Sequence, residues 1–122
     1  MTRTILTVDD STSMRQMVKA TLVSAGYGVV EAADGQEALD YARENPVDLV
    51  IADVNMPRMD GITLIGELRQ LPAYRLTPML MLTTESSQEK KLEGKRVGAT
   101  GWIVKPFDPA QLIATVHRVL LR

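Results

Sequence analysis

Two hydrophobic rhythms alternate along the chain. Short, mostly apolar runs at TILTV (Thr4 to Val8), YGVVE (Tyr27 to Glu31), LVIA (Leu49 to Ala52), MLML (Met79 to Leu82) and GWIV (Gly101 to Val104) predict five strands. Between them, apolar residues recur at helical spacing. Met14, Met17, Val18 and Leu22 follow an i, i+3, i+4 pattern and are expected to share one helix face, as are Leu112, Val116 and Val119 near the C-terminus. Asp10 or Ser11 is placed to cap the first helix and Gly26 to end it. Asp34-Gly35 opens the second helix and Asn45-Pro46 closes it. Pro72 and Pro78 bracket the passage into the fourth strand, Gly98 ends a helix rich in Glu and Lys, and Asp108-Pro109 sets a cap before a proline at the first helical position. Five strand-then-helix units with continuously apolar middle strands predict an α/β fold: a parallel sheet covered by helices on both faces. Right-handed crossovers favour the doubly wound form. No repeat, linker or low-complexity tract interrupts the pattern, so residues 1–122 are expected to form a single domain.

Composition narrows the classes. The 122 residues, about 13.5 kDa, leave room for one domain, and 45% hydrophobic types supply its core. Fifteen acidic residues against fourteen basic ones give a formal charge of -1, which argues against nucleic acid as a partner. Cysteine is absent, excluding disulfides, thiolate metal sites and cysteine nucleophiles. The N-terminal apolar stretch is broken by Asp9-Asp10, so neither a signal peptide nor a membrane span is predicted, and a cytoplasmic protein is expected. One Trp, one Phe and three Tyr are too few for an aromatic binding stripe.

Ligands of open α/β sheets gather at the carboxyl ends of the strands. Those positions carry Asp9-Asp10 after the first strand, Asp53 after the third, Thr83-Thr84 after the fourth and Lys105-Pro106 after the fifth. An aspartate at a strand end also serves as a helix cap or turn former. Three of them at neighbouring ends, however, repel one another unless a cation is present. Magnesium suits such a set, being a hard ion that takes oxygen ligands, keeps some waters and bridges to phosphate. Asp10 and Asp53 are expected as direct ligands, Asp9 as direct or water-mediated, and the Asn55 carbonyl as a further ligand. Lys105 is a point charge suited to a phosphate oxygen or to an ion pair with Asp9 or Asp10, and Thr83 offers a hydroxyl to the same oxygen. Carboxylate, divalent ion, hydroxyl and ammonium are together what phosphoryl transfer to an aspartate needs.

Other chemistries find little support. The glycines follow neither G-x-G-x-x-G after the first strand nor G-x-x-x-x-G-K-[ST], and no G-x-S-x-G elbow exists. His117, the only histidine, lies in the last helix far from any candidate serine, so no histidine-based hydrolase or zinc centre can be assembled.

The blocks ILTVDDSTSMR, LVIADVNMPRMDGITLI, MLTTES and GATGWIVKPF resemble the receiver domain of bacterial two-component response regulators, most of all the stand-alone chemotaxis (CheY-type) members. The resemblance covers essentially the whole chain. It implies a flavodoxin-like fold of five strands in the order 2-1-3-4-5 with five helices. It also implies that Asp53 is the phosphoacceptor, that Asp9 and Asp10 hold Mg2+ with the Asn55 carbonyl, and that Thr83 and Lys105 contact the phosphoryl group. A cis peptide before Pro106 is common in the family. Trp102 stands where many relatives carry Tyr or Phe, and would be the aromatic partner of a Thr83 switch or a plain packing residue. Asn55 and Glu85, two residues beyond Asp53 and Thr83, would tune the lifetime of the phosphorylated form. Met56 and Met59 are expected to line a loop or sheet edge.

The partners so implied are a histidine kinase, a phosphatase, and a flagellar motor switch or other target reading the face of the fourth helix, fifth strand and fifth helix. The helix QEKKLEGKRVG on that face carries charges at ion-pair spacing, which a solvated surface alone would also explain. Because the sequence stops at Arg122 directly after the last helix, output is expected through surface docking of a monomer rather than an attached nucleic-acid-binding domain. Three alternatives share parts of this pattern. A flavodoxin-like cofactor carrier would need a phosphate-cradling first loop, where Asp9-Asp10 repel phosphate. A haloacid-dehalogenase-type phosphatase would need D-x-D, but Ser11 stands at its second acidic position. A receiver acting as phosphorelay intermediate or phosphate sink fits every residue considered.

Overall fold

In the computed structural model, which describes residues 2–84 and 88–121, the apolar runs become five parallel strands. They are β1 (Thr4–Val8), β2 (Gly28–Ala32), β3 (Leu49–Asp53), β4 (Met79–Thr83) and β5 (Gly101–Val104), ordered β2-β1-β3-β4-β5. Helices α1 (Thr12–Ser24), α2 (Gly35–Glu44), α3 (Gly61–Arg69), α4 (Gln88–Val97) and α5 (Pro109–Leu120) provide the crossovers, with a short 3-10 turn at Pro72–Tyr74 before β4.

Strand alternation divides the apolar residues between two cores. Ile5, Leu49 and Ile51 face α1 and α5, where they meet Val18, Leu22, Leu112 and Val116. Leu6, Val50 and Ala52 face the other side, against Ala38, Leu64, Ile65 and Leu68 of α2 and α3. Every residue of β3 and of β4 is buried. This explains why their sequences show no polar alternation. β5 is one of the two edge strands: Ile103 is buried, while Trp102 and Val104 point outward.

Several elements depart in detail from the sequence expectation. β2 starts at Gly28, because the Tyr27 N–H donates to Leu22 O at 3.1 Å and closes α1 instead of entering the sheet. β3 and β4 each run one residue further, so that Asp53 pairs with Leu82 and Thr83 with Val104. Ser11 rather than Asp10 caps α1, its Oγ accepting the Met14 N–H at 3.3 Å. Met17 is 55% exposed and does not share the face of Val18 and Leu22. It lies about 100° round the helix from Val18, and the i+4 stripe Met14–Val18–Leu22 alone meets the core. Met56 and Met59 pack into the α2/α3 core, with Met56 buried under the β3–α3 loop. Among the described residues, no helix is long and apolar enough to cross a membrane.

Candidate functional site

The β1–β3 register carries Val8 alongside Ala52, so the acids that follow each residue emerge side by side at the carboxyl edge. Asp9 and Asp53 are buried and Asp10 is exposed, and one carboxylate oxygen from each lies within 4.8 Å of the others. Lys105, delivered by β5 from across β4, places Nζ 3.2 Å from Asp53 Oδ1 and 3.6 Å from Asp9 Oδ2. Three acids against one base leave the group at -2, in a place where water screens little.

Local backbone geometry holds these side chains. The Ser11 N–H donates to Asp9 Oδ1 at 2.9 Å, and the Asn55 N–H donates to Asp53 Oδ1 at 3.2 Å. Asp9 Oδ2, in contrast, has no hydrogen-bond partner: the lysine is near enough to pair electrostatically but too far to bond. Burial and the neighbouring Asp9 charge push the Asp53 carboxyl above its ordinary range, against the opposing pull of Lys105 and the Asn55 N–H. Converging carboxylates, an orphaned buried oxygen and donors that are all hard oxygens fit a divalent cation held by Asp9, Asp10 and Asp53.

Thr83 is buried at the end of β4, and the Lys105 N–H donates to its carbonyl at 2.8 Å. The Lys105–Pro106 peptide is cis. Asn55 is exposed at the rim, and Glu85 lies outside the described residues. Trp102 is set apart from the acids on the outer face of β5, 39% exposed, with Lys91 Nζ 5.0 Å from its ring centroid.

Three contributors were not singled out from the sequence. Arg15, from the first turns of α1, donates from Nη1 to the Asp9 carbonyl at 2.7 Å, while its Nε lies 3.4 Å from Glu31 Oε1 without hydrogen-bond alignment. Arg58, in a left-handed backbone conformation at φ 66°, pairs with Asp34 and ties the β3–α3 loop to the start of α2. Gly61 packs so closely on β3 that a Cβ there would lie 2.4 Å from the Asp53 carbonyl oxygen. The Asp60-Gly61 pair, a capping residue before a glycine, was a usable signal for this last feature; lone arginines carry none.

A doubly wound parallel sheet whose carboxyl edge gathers three acids and a lysine defines a class, and sequence comparison agrees with it. Residues 5–117 match the response regulator receiver domain, and the chain belongs to that family. It is 41% identical over 119 residues to a probable transcriptional regulator, ycf27, of Porphyridium aerugineum, covering 97% of this chain and 48% of the relative. The chain thus spans about half the length of the curated relatives it matches. Among solved structures, the chemotaxis protein CheY4 of Vibrio cholerae is 55% identical with a TM-score of 0.95, covering 98% of this chain and 99% of that one. The receiver domain of the sensor histidine kinase PA1611 of Pseudomonas aeruginosa, with a magnesium ion coordinated in its active-site cleft, is 28% identical with a TM-score of 0.92 over the full length of both chains.

Proposed function

We propose that this chain, as a single receiver domain, is a phosphorylation-dependent switch of chemotaxis type with Asp53 as its phosphoacceptor. The observation that carries this reading is the buried Asp53 carboxylate with Lys105 Nζ at 3.2 Å, beside the acids of β1. In the forward step an Asp53 oxygen bonds to the phosphorus of a phosphohistidine on a kinase. The P–N bond breaks, and the imidazole nitrogen keeps the electron pair and takes a proton from solvent. Lys105 pairs with a phosphoryl oxygen, relinquishing part of its contact with Asp9. The Thr83 hydroxyl donates to another, drawing the end of β4 and, through the Lys105–Thr83 backbone bond, β5 with it. A Mg2+ ion held by Asp9, Asp10, Asp53 and the Asn55 carbonyl would supply charge neutralisation at the transferring group. Water later attacks the phosphorus, releasing inorganic phosphate and restoring the carboxylate, with Asn55 at the rim, together with Glu85, tuning that rate.

Output then passes through α4, β5 and α5, where Trp102 follows Thr83 and the population of two surface states changes. The partners of this reading are a chemotaxis histidine kinase and a flagellar motor switch protein. The likeness to CheY4 over nearly the whole of both chains favours it. A phosphorelay or phosphate-sink role is the second reading, favoured by the likeness to a receiver domain of a histidine kinase. Incubation with a small phosphodonor tests the chemistry. One phosphoryl group is expected in the intact mass with Mg2+ and none with a chelator or in Asp53→Asn. A folded Asp53→Asn protein that still took label would sink the assignment. Transfer of the group onward to a histidine phosphotransfer protein, faster than its hydrolysis, would select the relay.

A further inference from the structure

A cavity of about 700 Å³ lies at the opposite, amino end of the sheet, between the β4 and β5 starts and the end of α5. Three arginines line it, Arg3, Arg69 and Arg75, and among the described residues no carboxylate does. Among the described residues none of the three has an ion-pair partner. Asp48, which follows the same edge, has its Oδ2 engaged by the Thr4 N–H at 2.7 Å. Arg69 is built into the wall: Nε and Nη2 donate to Gly98 O at 3.1 and 2.8 Å, and Nη1 to Tyr74 O at 2.6 Å. Carbonyls orient a guanidinium without neutralising it, and those bonds use three of its five N–H donors. Two donors and a full charge are left, on a side chain that cannot swing away. Arg3 and Arg75 are exposed and free to close on a ligand.

Apart from Thr100, the remaining side chains of the wall are apolar. Leu76 stands 96% exposed at the rim, with Pro78 and Val119 behind it. A fixed guanidinium flanked by two mobile ones is suited to clustered phosphate oxygens. An unburied leucine beside them is suited to a flat, apolar group. The volume falls in the range of roughly 300–1,000 Å³ common for small-molecule sites. We propose that this cavity binds an organic polyphosphate of the nucleotide class, its phosphates on Arg3, Arg69 and Arg75 and its base against Leu76, Pro78 and Val119. The site is independent of the acidic edge and of the phosphoacceptor reading.

Amide chemical-shift titration of the full chain tests this, with ATP, tripolyphosphate and adenosine as separate probes in EDTA, so that no metal bridges ATP to the acids. Saturable shifts are expected for ATP at Leu76, Ala99 and Thr100. Adenosine and tripolyphosphate should each bind several-fold more weakly, and ATP affinity should fall with salt. Arg3→Gln and Arg75→Gln, both at exposed positions, should each weaken ATP about threefold to tenfold without moving the unfolding midpoint. The proposal is overturned by shifts confined to the Asp9 and Asp53 end, or by affinities unchanged in both variants. Tripolyphosphate binding as tightly as ATP would also overturn it, leaving only attraction of a bare polyanion.

Discussion

The centre of the sheet and its α4–β5 flank are built in opposite ways. Every residue of β3 is buried, and Asp9 and Asp53 are 1% and 3% exposed at the end of that packed wall. On the flank, α4 buries only Gly94, while Leu92, Trp102 and Val104 are 55%, 39% and 46% exposed. Like charges set in the rigid centre cannot relax apart, so their repulsion persists until a cation changes the balance. The flank buries few apolar side chains that a rearrangement would expose, so moving it costs less than moving the centre. The Lys105 N–H bond to the Thr83 carbonyl at 2.8 Å joins the two regions.

Two glycines give the largest contrast. An added Cβ at Gly61 meets the Asp53 carbonyl oxygen at 2.4 Å and the Asp53 carbonyl carbon at 2.9 Å, backbone atoms of the central strand. At Gly94 it meets Met81 Cε and Sδ at 2.4 Å, the far end of a flexible side chain. Gly61→Ala should therefore cost about 1–3 kcal/mol in urea denaturation, the range for overpacking a rigid site. It should also impair phosphoryl uptake, because the β3–α3 loop must move. Gly94→Ala should cost under about 1 kcal/mol, since Met81 can swing and alanine gains roughly that much over glycine in a helix. Equal costs would abolish the distinction between a stiff centre and a compliant flank.

The carboxylate cluster is the next test. Like charges about 4 Å apart repel by about 1 kcal/mol in water and by several times that at lower dielectric. Asp53→Asn removes one of the three and should stabilise the metal-free protein by about 1 kcal/mol or more, read as a higher unfolding midpoint. The pH dependence has a definite sign. The Asp53 carboxyl titrates above its ordinary range in the folded chain, so the folded state binds the extra proton. Metal-free stability is then fully present below the unfolded value and falls as pH rises through the raised folded one. Asp53→Asn should flatten that fall. Added Mg2+ should raise the midpoint of the parent chain by mass action and do little for the variant.

How far the sequence reveals this site follows from the reach of each residue. Asp9, Asp53, Thr83 and Lys105 are legible because each ends, or follows, a short apolar run. In a parallel sheet the ends of such runs meet whatever the intervening chain does. Ser11 and Asp10 compete for the cap on composition alone, and the bond from the Met14 N–H to Ser11 Oγ decides between them. Arg15 and Arg58 were not legible, because a long side chain's destination depends on rotamers and on partners such as Glu31 and Asp34, distant in sequence. Met17 misled for a different reason: a four-residue helical pattern admits a wider face than the sheet beneath α1 covers. The exposure of Trp102 depends on β5 being an edge strand, which strand order alone determines and the hydrophobic pattern of GWIV hides.

The smallest expected effect lies on the flank. Lys91 Nζ sits 5.0 Å from the Trp102 ring centroid, and Trp102 is the only tryptophan. Exposed cation–π contacts contribute about 0.5–1 kcal/mol. Lys91→Ala should thus lower stability by about 0.5 kcal/mol and shift the Trp102 emission, because the ring loses both the charge and the cover of the lysine stem. Lys91→Met keeps most of the stem and removes the charge, so it separates the two causes. If both variants leave the emission where it was, α4 does not hold the ring. The compliance of the flank would then belong to β5 alone, with α4 no part of how the ring is positioned.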